Sequence, residues 1–277
     1  MVIALVAFAA IAHATWNLAI KRTGASGAVF LWLTFLLGAL LFAPIGVAAI
    51  TESGTAWLPL AAVSGALQVG YFFLLQHAYR QGDVSVVYPL ARGTGPLLSV
   101  VFAIILLGER PGIHEIVGAA VVIGGVVTIG LAGIRGSRLH LPGVLWGLAV
   151  GVLIAVYTLW DSNAVINGGM PPLGYYWAVV AAALFLTPAA ARQRAVVLPT
   201  IQRHWLVIVI VGVLSPLAYV LILLAVQLAP VSVIAPAREV SVVLVSVAGW
   251  LWLKERHPVQ RLIGAAIVLL GVALLAL

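Results

Sequence analysis

Residues 85–99 read SVVYPLARGTGPLLS, an apolar segment with one arginine, Arg92, near its middle. A second segment answers it 146 positions later: residues 232–246 read SVIAPAREVSVVLVS, and Arg238 falls opposite Arg92 when the two are laid over each other. A charged side chain at the centre of a membrane span costs about 2.5–3.5 kcal/mol on insertion scales, so its default role is functional, facing a cavity or a partner. If these two stretches are spans, the chain lies in a bilayer and holds charge at its core.

The composition agrees. Of 277 residues, 64% are apolar and 8% charged, with a mean hydropathy of +1.21, whereas a soluble domain carries about 25% charged residues. A soluble globule is excluded. The net charge is +7, but the basic residues lie singly or in pairs between apolar runs and form no block. They read as topology signals, and no nucleic-acid partner is implied. The absence of cysteine excludes disulfides, thiolate nucleophiles and thiolate metal ligands. The first twenty residues carry no basic n-region and no small-residue cleavage motif before Lys21, so they are read as a first span and not as a removable signal.

Apolar runs at 2–20, 28–50, 57–79, 84–107, 113–133, 142–165, 173–191, 205–228, 231–253 and 258–277 predict ten transmembrane helices, because backbone groups without water must be satisfied within the segment and nothing alternates as a barrel strand would. The gap from Arg192 to His204 is read as a surface loop. LGERPGIHEIVGAAVVIGGV (107–126) aligns with LKERHPVQRLIGAAIVLLGV (253–272), pairing Glu109 with Glu255, Gly118 with Gly264 and Gly125 with Gly271. The chain is therefore two repeats, 1–133 and 142–277, joined by a short cytoplasmic linker at 134–141. Five spans per repeat is an odd number, so the second must be inverted, with a central cavity between them. Eleven of the 14 basic residues fall on one side and Arg110 alone on the other. The positive-inside rule makes the eleven cytoplasmic and both termini periplasmic.

Polar residues concentrate in particular spans. His13, Trp16 and Asn17 share one turn of the first span, where Trp16 fits an aromatic belt or a cavity, and His13 an interhelical bond or a substrate contact. In the third span Gln68 and Tyr71 share a stripe, and His77 suits cavity or interface equally. In the fourth, Tyr88, Arg92, Gly95 and Ser99 fall on one helical face, and Pro89, Gly93, Gly95 and Pro96 predict a bend or unwinding that frees carbonyls. Asp161 and Glu239 are the candidate carboxylate partners of Arg92. Tyr157, Trp160 and Asp161 gather in the sixth span, while Ser215 and Tyr219 flank Pro216 in the eighth. Arg238 and Glu239, adjacent on a helix, point about 100° apart and need not pair. Small residues at Gly118, Gly124, Gly125, Gly264 and Gly271 fit helix contact, within the chain or in a homodimer. Glu109 and Glu255 suit the positive end of the helix that follows each. The sequence points to no cofactor and no metal.

HATWNLAIKR (13–22), YPLARG (88–93), LGER (107–110), AREVSVV (237–243) and LKER (253–256) resemble the drug/metabolite transporter superfamily, in its EamA-type group of ten-helix transporters. The resemblance covers both halves. It implies two inverted five-helix units around a cavity lined mainly by the first, third, fourth, sixth, eighth and ninth helices, in a bacterial inner-membrane protein, and some members of the group export amino acids. The second half departs where Tyr88 and Gly93 are answered by Ile234 and Glu239, so substrate identity does not carry over.

The function expected is a secondary transporter of small polar metabolites, amino-acid export first, working by alternating access. Arg92 and Arg238 would meet the anionic group, Glu239 or Asp161 the amine, and His13, Trp16, Asn17, Tyr71, His77, Tyr88, Tyr157, Trp160 and Tyr219 would complete the site. Transport of other organic anions, phosphonates, nucleosides or drugs, or movement of lipid, is the alternative. No HExxH, no GxSxG and no paired aspartates support an intramembrane enzyme.

Overall fold

The computed structural model describes residues 1–82, 84–134, 141–253 and 258–277. Every regular element among them is helical: α1 (Val2–Thr23), α2 (Ala28–Leu41), α3 (Ala43–Ser53), α4 (Leu58–Gln81), α5 (Val84–Leu106), α6 (Ile113–Ile134), α7 (Leu141–Ile166), α8 (Pro172–Ala182), a 3₁₀ turn (Ala183–Leu186), α9 (Thr187–Arg192), α10 (Arg194–Val226), α11 (Val231–Ala237), α12 (Val240–Leu253) and α13 (Pro258–Leu275). Six stretches, α1, α4, α5, α7, α8 through α9, and α10, are each long and apolar enough to cross a bilayer. The second span is α2 and α3 bent by 58°, and α6, α11 with α12, and α13 complete the ten. Most of the expected linker, together with Lys254, Glu255 and Arg256, lies outside the described residues.

The architecture follows from the need to satisfy backbone groups inside each segment where there is no water. Ends are closed locally. Gly24 leaves α1 at φ 65° and returns its N–H to Ile20 O at 2.8 Å, a left-handed cap that glycine adopts without the Cβ penalty. Phe8, Ile105, Leu106 and Trp205 stand 60–68% exposed on the rim of the bundle, where lipid replaces water as the solvent of apolar side chains.

The helices pack as two exchangeable halves. α1 lies on α10 as α7 lies on α4; α5 lies on α7 as α12 lies on α1; α2 lies on α10 as α8 lies on α4; and α3 meets α8 while α6 meets α13 across the axis. Each contact maps onto its counterpart when the halves are exchanged. The α6–α13 seam is set by glycine: a Cβ on Gly118 would meet Gly271 O at 3.0 Å, and one on Gly271 would meet Val122 N at 2.6 Å. Gly118, Gly125, Gly264 and Gly271 are thus occupied within one chain, while Gly124 meets nothing within 4 Å.

Two local expectations are corrected. α5 runs unbroken through Pro89, Gly93, Gly95 and Pro96. Each proline deletes a single intrahelical bond, while close packing keeps the axis in place, since a Cβ on Gly95 would meet Ile154 of α7 at 2.7 Å. The break falls instead in the answering span, between α11 and α12 at Arg238 and Glu239. The expected loop from Arg192 to His204 is helical: α10 begins at Arg194 and bends at His204, whose φ of −127° and ψ of 15° leave the helix.

Candidate functional site

A cavity of about 130 Å³ lies midway along the bundle between the two halves. It has room for several water molecules or a small solute. α1 contributes His13 and Trp16, α4 Gln68, Tyr71 and Phe72, α5 Arg92, α7 Tyr157, α10 Ser215 and Tyr219, the α11–α12 break Arg238, and α12 Ser241. Phe35 of α2 and Tyr176 of α8 also reach the wall. These two come from the second and seventh spans, outside the six helices that the resemblance implies. A phenylalanine or tyrosine in an apolar span gives no sequence signal of which way it faces. A second, apolar pocket of about 50 Å³ lies on the other side of Tyr176, against α2, α3 and α10.

The α11–α12 break positions the charges. Pro236 has no N–H to offer Ser232 O, and the chain tightens after it: Glu239 N donates to Pro236 O at 2.9 Å, Ser241 N to Arg238 O at 3.2 Å and Val242 N to Glu239 O at 2.8 Å. Under these three-residue bonds, Arg238 Nε comes to 3.6 Å from Glu239 Oε1, so the neighbours pair, which regular helical geometry did not require. From the opposite half, Arg92 Nη2 comes to 3.0 Å from Glu239 Oε2 and donates to Ser241 Oγ at 3.4 Å. Arg238 Nη1 donates to Thr158 Oγ1 at 3.5 Å.

One carboxylate is therefore held between two guanidiniums from the two halves. Glu239 is 1% exposed, whereas the two arginine side chains are 13% and 12% exposed. The pairs are close in distance but poorly aligned, and both Glu239 oxygens lack an aligned donor. On the donor side, Trp16 Nε1, Arg92 Nε and Arg238 Nε are buried with no aligned acceptor among the described residues. Removing one member of such a buried pair typically costs about 3–5 kcal/mol because the other charge is left behind.

Asp161 is fully buried and stands behind the wall. Tyr219 donates to Asp161 Oδ2 at 2.6 Å, Tyr175 to Oδ1 at 2.8 Å, and Gln68 Nε2 lies 3.4 Å from Oδ2. The Tyr176 hydroxyl donates to Gln68 Oε1 at 3.3 Å, and its ring stacks on Tyr219 with centroids 4.6 Å apart. Tyr157 packs by its edge against Tyr71 at 5.8 Å, and His13 against Trp16 at 4.8 Å. The carboxylate therefore orients two wall side chains, Tyr219 and Gln68, without meeting the cavity itself.

Several candidate residues lie elsewhere. Asn17 Nδ2 donates to His13 O at 2.8 Å, a bond along its own helix. His77 sits edge-on to Trp146 at 4.5 Å, on the α4–α7 contact. Trp160 is 36% exposed and donates to Leu60 O at 3.0 Å, facing away from the cavity. Tyr88, one turn before Arg92, is not part of the wall. Glu109 caps a helix other than the one that follows it: Val231 N and Ser232 N of α11 donate to its two carboxylate oxygens at 2.7 and 2.9 Å. The dipole end it serves belongs to the opposite half.

The EamA-like transporter family model matches residues 1–131 and again 141–277. One solved crystal structure, 22% identical, superposes with a TM-score of 0.79 over 99% of this chain and 95% of its own, and shows the shared fold. No curated protein matches the chain. With both halves accounted for by one family model, the chain belongs to the EamA-like transporter family of the drug/metabolite transporter superfamily and is a multi-pass membrane transporter.

Proposed function

We propose that this transporter carries a small metabolite bearing a carboxylate or similar oxyanion, amino acids among them, outward across a bacterial inner membrane by alternating access. The two repeats, 1–133 and 142–277, rock against each other around the central cavity, and Arg92 and Arg238 attract the anionic group. The observation that carries the reading is the pair of guanidiniums, one from each half, on the wall of a cavity at the pseudo-two-fold. Arginine presents a planar fork that fits a carboxylate in two bonds. Aromatic side chains of Trp16, Tyr71, Tyr157, Tyr176 and Tyr219 would enclose the remainder of the cargo. The excess of basic residues on one side supports a cytoplasmic face there, with both termini periplasmic.

The chain has no cysteine, so Ser215→Cys and Ser241→Cys each introduce a single thiol in the wall. Alternating access predicts labelling by a membrane-impermeant maleimide from either side, tested in vesicles of both orientations, with the cargo shifting the balance between sides. Labelling from one face only, under every condition, contradicts the mechanism.

A further inference from the structure

Resting on the reading of the central cavity as the substrate site, we infer that its cargo is a monoanion with a flat aromatic or apolar body and no free ammonium group, an aryl carboxylate and not a zwitterionic amino acid. The inference follows from which charges reach the wall. Arg92 and Arg238 both do. The two carboxylates that could meet an ammonium do not: Glu239 is 1% exposed between the two guanidiniums, and Asp161 is fully buried under Tyr175, Tyr219 and Gln68. Two guanidiniums reach the wall and neither carboxylate does, so the charge that a ligand meets directly is positive. His13 adds either nothing or a further positive charge.

The unpaired groups point the same way. Trp16 Nε1, Arg92 Nε and Arg238 Nε are all donors, buried without an aligned acceptor among the described residues. Arg92 reaches protein acceptors through Nη2 and Arg238 through Nη1, while Arg238 Nε, 3.6 Å from Glu239 Oε1, is not aligned for a hydrogen bond, so each guanidinium keeps its Nε–H for a ligand. A ligand rich in acceptors completes this set. An ammonium would bring donors to donors and a positive charge beside two others, and the neutral acceptors of the wall, the serine and tyrosine hydroxyls and the Gln68 side chain, do not offset that repulsion. Around the charged end, stacked and edge-on rings form a slot suited to a planar body.

Three ligands with one ring and nearly one chain length separate the charges: 3-phenylpropionate, L-phenylalanine and phenethylamine. Equilibrium binding of each to the purified wild-type protein in nanodiscs is compared with Arg92→Ala and Arg238→Gln. The expected result is that 3-phenylpropionate binds at least about tenfold tighter than phenylalanine, a difference of about 1.4 kcal/mol, that phenethylamine does not compete, and that both variants weaken 3-phenylpropionate by at least about tenfold. Phenylalanine binding as tightly as 3-phenylpropionate, phenethylamine binding, or no binding of any of the three overturns the inference on wild-type protein alone. If the tight binder is phenylalanine and the variants lose it, the cavity remains the substrate site and only the cargo class fails. If binding is indifferent to both arginines, the cavity reading itself fails.

Discussion

Asp161→Ala should be among the most destabilising single substitutions in this protein, and Asp161→Asn should fall between it and wild type. The carboxylate accepts two phenol hydroxyls at 2.6 and 2.8 Å and stands 3.4 Å from the Gln68 amide. Alanine leaves these donors without an acceptor. Tyr175 is fully buried and bears its whole loss, about 1–3 kcal/mol for an unsatisfied buried donor. Tyr219 and Gln68 reach the cavity wall, so water there recovers part of theirs. Relief from burying the carboxylate offsets some of the sum, leaving a net loss of about 2–4 kcal/mol. Asparagine keeps an acceptor for one phenol, which loses only charge assistance, and turns its amide to the other, whose hydroxyl can accept but no longer donate there, a total of about 1–3 kcal/mol. Thermal unfolding of purified protein in one detergent should rank wild type above Asn and Asn above Ala, with the alanine variant lower by about 5 °C or more. An alanine variant that melts with wild type would show that the phenols do not depend on Asp161 and would refute the network.

Other outcomes follow from the packing. Gly271→Val should destabilise the α6–α13 seam by about 1–3 kcal/mol through overpacking, because a Cβ there meets Val122 N at 2.6 Å, while Gly124→Ala, which meets nothing within 4 Å, should melt as wild type does. Glu109→Ala should remove the cap from two α11 amides at 2.7 and 2.9 Å and cost about 0.5–2 kcal/mol; hydrogen exchange should rise at Val231 and Ser232 but not at the start of α6. Glu239→Gln should leave the two guanidiniums without the carboxylate they share and lower the melting temperature more than Arg92→Lys, which keeps every charge.

Much of this molecule was legible in the sequence because a bilayer punishes charge so heavily. An arginine in YPLARG and another in APAREV had to face inward, and few carboxylates are available to pair with them: Glu239 does so, while Asp161, the other candidate, accepts from tyrosines instead. The ten apolar runs marked the spans for the same reason. Facing was harder to read. Trp160, Asn17 and His77 lie within a turn or two of cavity positions, yet Trp160 and His77 point to neighbouring helices and Asn17 bonds along its own, and Tyr176 and Phe35 reach the cavity from spans with no polar signature. Proline was ambiguous too: Pro89 and Pro96 leave α5 continuous, while Pro236 precedes a break, and only the packing around each helix decides between these outcomes. Glu109 carried a correct electrostatic signal attached to the wrong helix, because sequence proximity to α6 hides spatial proximity to α11.

The most direct measurement of the central claim is counterflow of a labelled panel of amino acids and aromatic and aliphatic organic acids into liposomes holding the purified protein, with Arg92→Ala alongside at matched reconstitution. The account predicts saturable flux of at least one panel member and a loss of at least about tenfold in Arg92→Ala, the consequence of removing a charged hydrogen-bond donor from the ligand. Flux that is unchanged in a folded Arg92→Ala protein would place the substrate path elsewhere and contradict it.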